Sequence, residues 1–380
     1  MWSSPAPQTR RARKPSVRLL VLVATLFAGC SAENGEERLG GETAAQDART
    51  RPQRLASLLS VLAADSMQGR RTGTSGAHRA ASFLADKLEE YGIEAAGDSA
   101  YHQWVPMARV TVGSGDGVRD RLVLPSSEVR FDTLPEDRIL RREANVVGIL
   151  RGSDPEVADE AVIVGAHFDH VGIGPVVTDP QEGPDSIYNG ADDDASGSVA
   201  VLEIARTLAR GTPPGRSVVF LLSTGEEMGL LGTRWYIQNP VVPLDRTVAD
   251  LQIEMIGRPD SLAGGPGRGW LTGYERTTMG RQLAEAGSPI VPDPRPDQNF
   301  FFRSDNIAFA RIGIPAHTLS SFGLHDDYHQ PSDEVDEIDV QHMAALVEAA
   351  TEAVRFLADG PRPDWVPGGR EGLPERSPDG

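Results

Sequence analysis

Apolar residues recur along the middle of this chain in two alternating patterns. Largely apolar runs, which are typical of buried strands, occupy residues 145–150, 161–166, 217–223, 248–255 and 314–319. Apolar residues at helical spacing predict helices at 55–62, 80–88, 196–208, 230–238, 277–286 and 340–357. Buried strands that alternate with helices form a largely parallel sheet covered on both faces. The pattern therefore predicts the α/β class, a single-domain three-layer α/β/α sandwich with a mixed, largely parallel central sheet. Residues 101–150 are expected to add antiparallel edge strands.

The two ends of the chain differ from this middle part. Residues 1–30 combine a basic start, a short apolar run and the sequence Ala28-Gly29-Cys30, as in a lipoprotein-type signal peptide. Phe27 departs from the smaller aliphatic residue usual in such signals. We expect an exported protein of the bacterial cell envelope, periplasmic or at the outer surface, with a lipid anchor at Cys30 as its only membrane contact. An uncleaved signal anchor or simple secretion are the alternatives.

Two further segments lack the periodicity of folded structure. Residues 31–50 are polar and predict a flexible tether. Residues 360–380 are rich in proline and glycine and predict a disordered tail. The folded domain is therefore expected to span 51–359.

The charge of the chain is strongly negative and unevenly distributed. Lys and Arg number 37 against 55 Asp and Glu, for a formal net charge of −18. Basic residues this few and scattered argue against binding to nucleic acid. No Lys or Arg occurs in residues 152–205 or 312–354, although both segments are rich in acids. The single cysteine excludes a disulfide framework and a cysteine-based zinc finger.

Polar residues capable of chemistry follow the ends of the predicted strands. They are His167, Asp169, Asp192, Glu226, Glu227, Glu254 and His329. Ligands of open α/β sheets bind at the carboxyl ends of the strands, so these side chains are expected to meet there. Imidazole and carboxylate without thiolate suit catalytic zinc, and the set exceeds the needs of one ion. Two ions that share a bridging carboxylate would use all of these groups.

Five ordered motifs give this pattern a specific resemblance. They are Gly165-Ala-His-Phe-Asp169, Gly190-Ala-Asp-Asp-Asp-Ala-Ser-Gly197, Gly225-Glu-Glu-Met-Gly-Leu-Leu-Gly232, Leu251-Gln-Ile-Glu-Met255 and Tyr328-His-Gln-Pro-Ser-Asp333. In order and spacing the chain resembles metallopeptidase family twenty-eight, the co-catalytic zinc exopeptidases, from about residue 55 to 357. The resemblance implies the zinc-dependent exopeptidase fold and two zinc ions per chain.

The resemblance also implies a role for each metal-site position. His167 and Glu254 would bind one zinc, Glu227 and His329 would bind the other, and Asp192 would bridge them. Glu254 departs from the aspartate of the best-known members. The family often has a cis peptide after the bridging aspartate, which would here join Asp192 to residue 193.

Four further positions receive supporting roles from the same resemblance and from chemistry. Glu226 would act as the general base beside the metals. Asp169 would orient His167, and Asp333 would do the same for His329. Tyr328 is a candidate donor to the developing oxyanion, with a packing role as the alternative.

These roles predict a zinc metallopeptidase that acts on peptide substrates, with an aminopeptidase favoured. A glutaminyl-cyclase-like enzyme with one zinc, and a carboxypeptidase or dipeptidase, remain alternatives on the same fold. From a different class, a non-catalytic envelope binding protein could use this scaffold, although no ligand is missing. The chain has no Gly-x-Ser-x-Gly elbow of a serine hydrolase and no His-Glu-x-x-His motif. His170 and His325 are expected near the cleft or at the surface. The sequence leaves the substrate side chain and the oligomeric state open.

Overall fold

The helices and strands alternate along the chain much as the apolar pattern predicts. The computed structural model describes residues 49–113, 118–126, 129–179 and 183–374. Within these residues the helices are α1 (Arg51–Leu62), α2 (Ser75–Glu90), α3 (Gly197–Arg210), α4 (Leu231–Gln238), α5 (Met279–Glu285), α6 (Asn306–Arg311) and α7 (Val340–Asp359). The predicted signal peptide with Cys30, and the predicted tether up to residue 48, lie outside the described residues.

The described strands fall into one large sheet and two small ones. They are β1 (Glu94–Ala95), β2 (His102–Trp104), β3 (Met107–Val112), β4 (Arg119–Val123), β5 (Ile139–Leu140), β6 (Ala144–Leu150), β7 (Ala161–His167), β8 (Gly172–Asp179), β9 (Gly183–Tyr188), β10 (Ser217–Ser223), β11 (Thr247–Ile253), β12 (Trp270–Leu271), β13 (Val291–Pro292) and β14 (Ala316–Ser320).

The central sheet is mixed, with its parallel strands in the middle. Its order is β1-β6-β10-β7-β11-β14-β12-β13, and β2 also pairs with β6. The pairs β10–β7, β7–β11 and β11–β14 are parallel, whereas β6 pairs antiparallel with β10, β1 and β2. The carboxyl ends of four neighbouring strands therefore lie side by side. This confirms the predicted α/β class and the antiparallel strands within residues 101–150.

Alternate side chains of the buried strands pack against different helical layers. On β10, Val218, Phe220 and Leu222 join the core formed with α1, α2, α3 and α7. Val219 and Leu221 of the same strand join a second core with α4 and α6. Because successive strand residues point to opposite faces, a strand covered on both faces must be apolar at every position. Burial of both faces of the central sheet thus explains both the apolar runs of the sequence and the three layers of the fold.

Two features depart from the sequence prediction. Strands β8 and β9 pair as an antiparallel hairpin in a region where the apolar pattern predicts no strand. The predicted disordered tail is wrong for residues 360–374, which pack on the body of the protein. Trp365 donates from Nε1 to the Gly313 carbonyl at 2.8 Å, and Arg370 donates to the Ala310 carbonyl at 2.9 Å. The apolar ring and these hydrogen bonds offset the effect of the surrounding prolines and glycines.

The described part of the chain forms one compact unit that begins at Arg49. None of its helices combines the length and apolar character needed to cross a bilayer.

Candidate metal site

The functional side chains extend from the carboxyl ends of neighbouring parallel strands. His167 ends β7, and Glu254 directly follows β11, the strand hydrogen-bonded to β7. Glu226 and Glu227 follow β10, the neighbour of β7 on its other side. The turn that leads into α3 adds the acidic residues 192–194. The parallel arrangement therefore brings together four chain segments that are far apart in sequence.

The first cluster joins His167, Asp193 and Glu254. His167 Nε2 lies 3.3 Å from Asp193 Oδ1 and 3.6 Å from Glu254 Oε1. His167 Nδ1 lies 3.0 Å from the carbonyl oxygen of Asp169. A carbonyl only accepts hydrogen bonds, so Nδ1 carries a proton. Burial alone would lower the pKa of His167, but the carboxylates of Asp193 and Glu254 raise it well above its ordinary value. Nε2 therefore lies where it can hold a second proton or share a metal ion with these two carboxylates.

The second cluster lies on the other oxygen of Asp193. His329 Nε2 is 3.0 Å from both Asp193 Oδ2 and Glu227 Oε1. His170 Nδ1 is 3.1 Å from Glu227 Oε1 and 3.7 Å from Asp193 Oδ2. The two clusters together hold all the predicted metal-ligating positions except Asp192.

The prediction that Asp192 bridges the two clusters is wrong, because the side chain at the centre is that of Asp193. Asp192 turns away: its Oδ1 accepts from the Gly257 amide at 2.7 Å, and its Oδ2 lies 3.0 Å from His325 Nε2. Adjacent residues of the turn point in different directions, and a run of three aspartates gives no signal for which one faces the histidines. The cis peptide bond is correspondingly Asp193–Asp194, not Asp192–Asp193.

Of the two supporting aspartates, Asp169 contacts its predicted histidine and Asp333 does not. Asp169 does contact His167, as predicted, but its hydrogen bond to the ring is through its carbonyl group, and its carboxylate lies 3.9 Å from His167 Nδ1. That carboxylate accepts from the Glu226 amide at 3.0 Å and the Thr72 hydroxyl at 2.8 Å. Asp333 does not serve His329. Its carboxylate accepts from the amides of Asp192 and Asp193 at 2.9–3.1 Å, which holds the acidic turn in place.

Sequence reasoning missed Arg70, which ties two loops of the site together. Its fully buried guanidinium donates to the carbonyls of Phe168, Asn189 and Gly190, at 2.7, 2.5 and 2.9 Å. One of these loops follows β7 and the other precedes the acidic turn. Arg70 lies within the part of the chain that resembles the family, but a guanidinium bound to carbonyls leaves no pattern of paired charges to detect.

Sequence reasoning also left the place of His170 open between cleft and surface. The structure buries it completely, with its ring edge-on to that of His329. A histidine one position after Asp169 was the only available signal. His325, by contrast, contacts Asp192 rather than either cluster.

No lysine or arginine of the described residues forms an ion pair with the carboxylates of the two clusters. Within the described residues, the ion-pair contacts of Asp193, Glu227 and Glu254 are all to imidazoles. Burial raises the pKa of Glu226 well above its ordinary value, and Glu254 adds to the rise although His167 opposes it. Burial alone would raise the pKa of Asp193, but the close imidazoles of His167 and His329 bring it well below its ordinary value.

These groups fit metal ions better than they fit one another. His329 Nε2 and Asp193 Oδ2 are buried and 3.0 Å apart, yet within the described residues neither has a partner in hydrogen-bond geometry. Ligands at 2.0–2.1 Å around a tetrahedral zinc are about 3.3 Å from one another. The contacts of 3.0–3.7 Å between ligand atoms in both clusters match that spacing. The site can therefore hold metal.

A cleft opens beside the clusters and is lined partly by acids and partly by aromatic rings. Its lining includes the acids Glu226, Glu227 and Glu254 and the aromatic residues Trp270, Phe300 and Phe322. Tyr328 also lines the cleft, and its ring stacks on His329 with centroids 4.0 Å apart. Burial, followed by the nearby carboxylates of Asp193 and Glu227, raises the pKa of Tyr328. Its hydroxyl therefore keeps its proton at neutral pH.

Comparison with known proteins finds aminopeptidases among the proteins with similar sequences. The chain is 27% identical over 219 residues to a probable leucine aminopeptidase 2 of Aspergillus fumigatus, covering 56% of this chain and 40% of that protein. It is 32% identical over 175 residues to an aminopeptidase of Pseudomonas aeruginosa, covering 45% and 29%. The chain thus spans well under half the length of these curated relatives.

The fold resembles solved structures over a larger share of the chain. A zinc aminopeptidase from Bacillus subtilis superposes with a TM-score of 0.57 at 15% identity, covering 82% of this chain and 96% of that one. Residues 145–354 match the model of Peptidase family M28. Since this match covers more than half of the chain and includes every side chain of the two clusters, the protein belongs to peptidase family M28.

Proposed function

We propose that this protein is an aminopeptidase that holds two zinc ions and releases N-terminal residues from peptides. The observation that carries the proposal is Asp193, whose two oxygens each face a separate set of imidazole and carboxylate groups. One set is His167 and Glu254, and the other is Glu227 and His329. One shared carboxylate between two sets is the donor arrangement of a two-metal hydrolase, and the aminopeptidases among the relatives support the reaction class.

The residues divide the hydrolytic chemistry between them. When bound, zinc supplies positive charge that lowers the pKa of water and polarises a carbonyl group. Glu226 lines the cleft next to Glu227 without belonging to either cluster, so its carboxylate is free to accept a proton. It takes the proton of the attacking water and delivers it to the departing amine. The hydrogen bond from its amide to Asp169 fixes the backbone of Glu226 relative to His167.

Two other parts of the cleft position the substrate. The protonated hydroxyl of Tyr328 donates to the oxygen of the scissile carbonyl as negative charge develops there. The aromatic wall of Trp270, Phe300 and Phe322 receives the side chain of the released residue. We therefore expect a preference for apolar N-terminal residues over charged ones.

The direct test compares amide substrates with free and acetylated N-termini, before and after chelation. We expect hydrolysis of free N-termini only, with loss on chelation and recovery with zinc. Glu226→Gln should keep two zinc ions while kcat falls by about 10²–10⁴-fold, the range for loss of a general base. Glu352→Gln, on the exposed face of α7, is the matched control and should keep full activity.

Three outcomes would contradict the proposal. Full peptidase activity in Glu226→Gln with both metals bound would remove the assigned base. Equal cleavage of acetylated substrates would exclude an aminopeptidase. Cyclisation of peptides with an N-terminal glutamine, by enzyme with one zinc, would favour a glutaminyl cyclase.

A further inference from the structure

The two clusters around Asp193 differ in the number of protein groups they contain. Asp193 Oδ1 faces His167, which also contacts Glu254, so that cluster has three groups. Asp193 Oδ2 faces Glu227, His329 and His170, so the other cluster has four. We propose that His170 is a metal ligand, which makes the second position a complete four-ligand site and leaves the first with an open coordination position. This inference rests on the proposed two-zinc function.

The Nδ1 atom of His170 faces the carboxylates of the second cluster, where it forms a hydrogen bond with Glu227 when no metal is bound. Its Nδ1 is 3.1 Å from Glu227 Oε1 and 3.7 Å from Asp193 Oδ2, within the spacing of ligands on one zinc. Its ring meets the ring of His329 at 77°, with centroids 5.3 Å apart. Both rings direct a nitrogen towards Glu227 Oε1, at 3.1 Å from His170 Nδ1 and 3.0 Å from His329 Nε2, so one ion could contact all three groups.

The backbone next to the cluster leaves space for this imidazole. Gly190 has φ +55°, and a Cβ there would lie 2.5 Å from the His170 ring and 2.1 Å from the Asp193 carbonyl. Any side chain at Gly190 would therefore displace either the ring or the acidic turn. Arg70 holds the same loop through the Gly190 carbonyl. The His170 ring thus packs against a loop that Arg70 holds in place.

Unequal ligand sets give the two positions different affinities and different tasks. Zinc sites with four protein ligands are closed, whereas sites with three keep a position for water or substrate. We infer that the His170 position binds zinc first and retains it longest. The His167 position binds second, loses its metal first on chelation, and is the one open to substrate.

X-ray absorption on the metal-free protein loaded with one equivalent of zinc tests this order. The wild-type spectrum should show two imidazoles on the bound zinc, since His170 and His329 share one ion. Titration calorimetry of zinc should show two separate steps. In His170→Asn the tighter step should weaken by more than about 100-fold, because even residues that only orient ligands are worth 10–100-fold. His102→Asn, on β2 and stacked on Trp104, is the control and should change neither result.

The result that would overturn the inference is a single imidazole in the wild-type spectrum at one equivalent. An unchanged tight step in His170→Asn would overturn it equally. The spectrum of the wild-type protein needs no variant, so a folding defect in His170→Asn does not affect it. Failure of the proposed function would appear as absent peptidase activity with both ions bound, and none of these measurements uses activity.

Discussion

The two ends of the central sheet treat buried carboxylates in opposite ways. At the amino end, Glu160 precedes β7 and is only 6% exposed. Its carboxylate accepts from Arg216 Nε at 2.7 Å and is also paired with Arg362. At the carboxyl end, the carboxylates of Asp193 and Glu227 contact only imidazoles within the described residues. Within the described residues, one end of the sheet therefore pairs its buried acid with guanidinium groups, and the other end pairs its buried acids only with imidazoles.

This difference shows which buried carboxylates are compensated by the protein's own arginines and which ones could be compensated by a bound metal ion. The guanidinium of Arg362, assisted by Arg216, lowers the pKa of Glu160, so the ionised form is favoured by folding. Burial raises the pKa of Glu226, so its ionised form is disfavoured by folding. Uncompensated buried charge destabilises a protein, and cations supplied from outside would compensate it. The buried carboxylates at the carboxyl end therefore lower the stability of the metal-free protein and at the same time provide ligands for metal.

The largest effect should come from the carboxylate at the centre of that end. Asp193→Asn removes the group that faces both clusters, so we expect loss of both zinc ions. Activity should fall by more than about 10³-fold, beyond the loss from one transition-state contact. Metal content by mass spectrometry and kcat/KM for an unblocked substrate would measure this.

Asp192→Asn is the matched control for that substitution. Asp192 is the neighbouring aspartate and is equally buried, but its carboxylate contacts Gly257 and His325 instead of the clusters. It should retain two zinc ions. If Asp192→Asn lost the metals and Asp193→Asn kept them, the geometric assignment of the central carboxylate would be wrong.

The next largest effect should come from a substitution at the amino end of the sheet, which should change the stability of the fold but not metal binding. Glu160→Gln leaves the charge of Arg216, itself 7% exposed, without its carboxylate. We expect a loss of about 2–4 kcal/mol in the free energy of unfolding, measured by urea denaturation at pH 7. Zinc content should not change.

The pKa of Glu160 is lowered in the folded state, so this loss should shrink as the pH falls below the pKa of the unfolded chain. Glu156→Gln, an exposed neighbour, is the control and should change stability little. If Glu160→Gln lost zinc as well as stability, the amino end of the sheet would also affect the metal site, and the proposed difference between the two ends would be wrong.

The fold and most of the site follow from local sequence pattern, because strands covered on both faces must be apolar throughout. The polar residues that end those runs, such as His167 and Glu227, are therefore conspicuous. Their meeting at one edge follows from parallel pairing. Asp193 could not be told from Asp192, because which side chain of an acidic turn faces the metal depends on backbone direction, not on residue type.

Long-range contacts were equally beyond the sequence. Arg70 lies about a hundred residues from Phe168, and its partners are carbonyl groups that every residue possesses. His170 is followed by a hairpin that was not predicted, so nothing fixed the direction of its ring. In the tail, Trp365 packs because a surface for it exists elsewhere on the fold. The amino-acid composition of a segment does not indicate such contacts with distant parts of the fold.

The smallest effect should appear in metal-free protein and should have the opposite sign to that at the amino end. Folding raises the pKa of Glu226, so both states are protonated at low pH, and the penalty grows as pH rises above the pKa of the unfolded chain. Glu226→Gln removes this penalty and should stabilise metal-free protein at pH 8 by about 1–3 kcal/mol. The gain should vanish near pH 4. Urea denaturation at both pH values would measure it. Destabilisation at pH 8 would mean that Glu226 is already compensated without metal, and the contrast between the two ends would then fail at this residue.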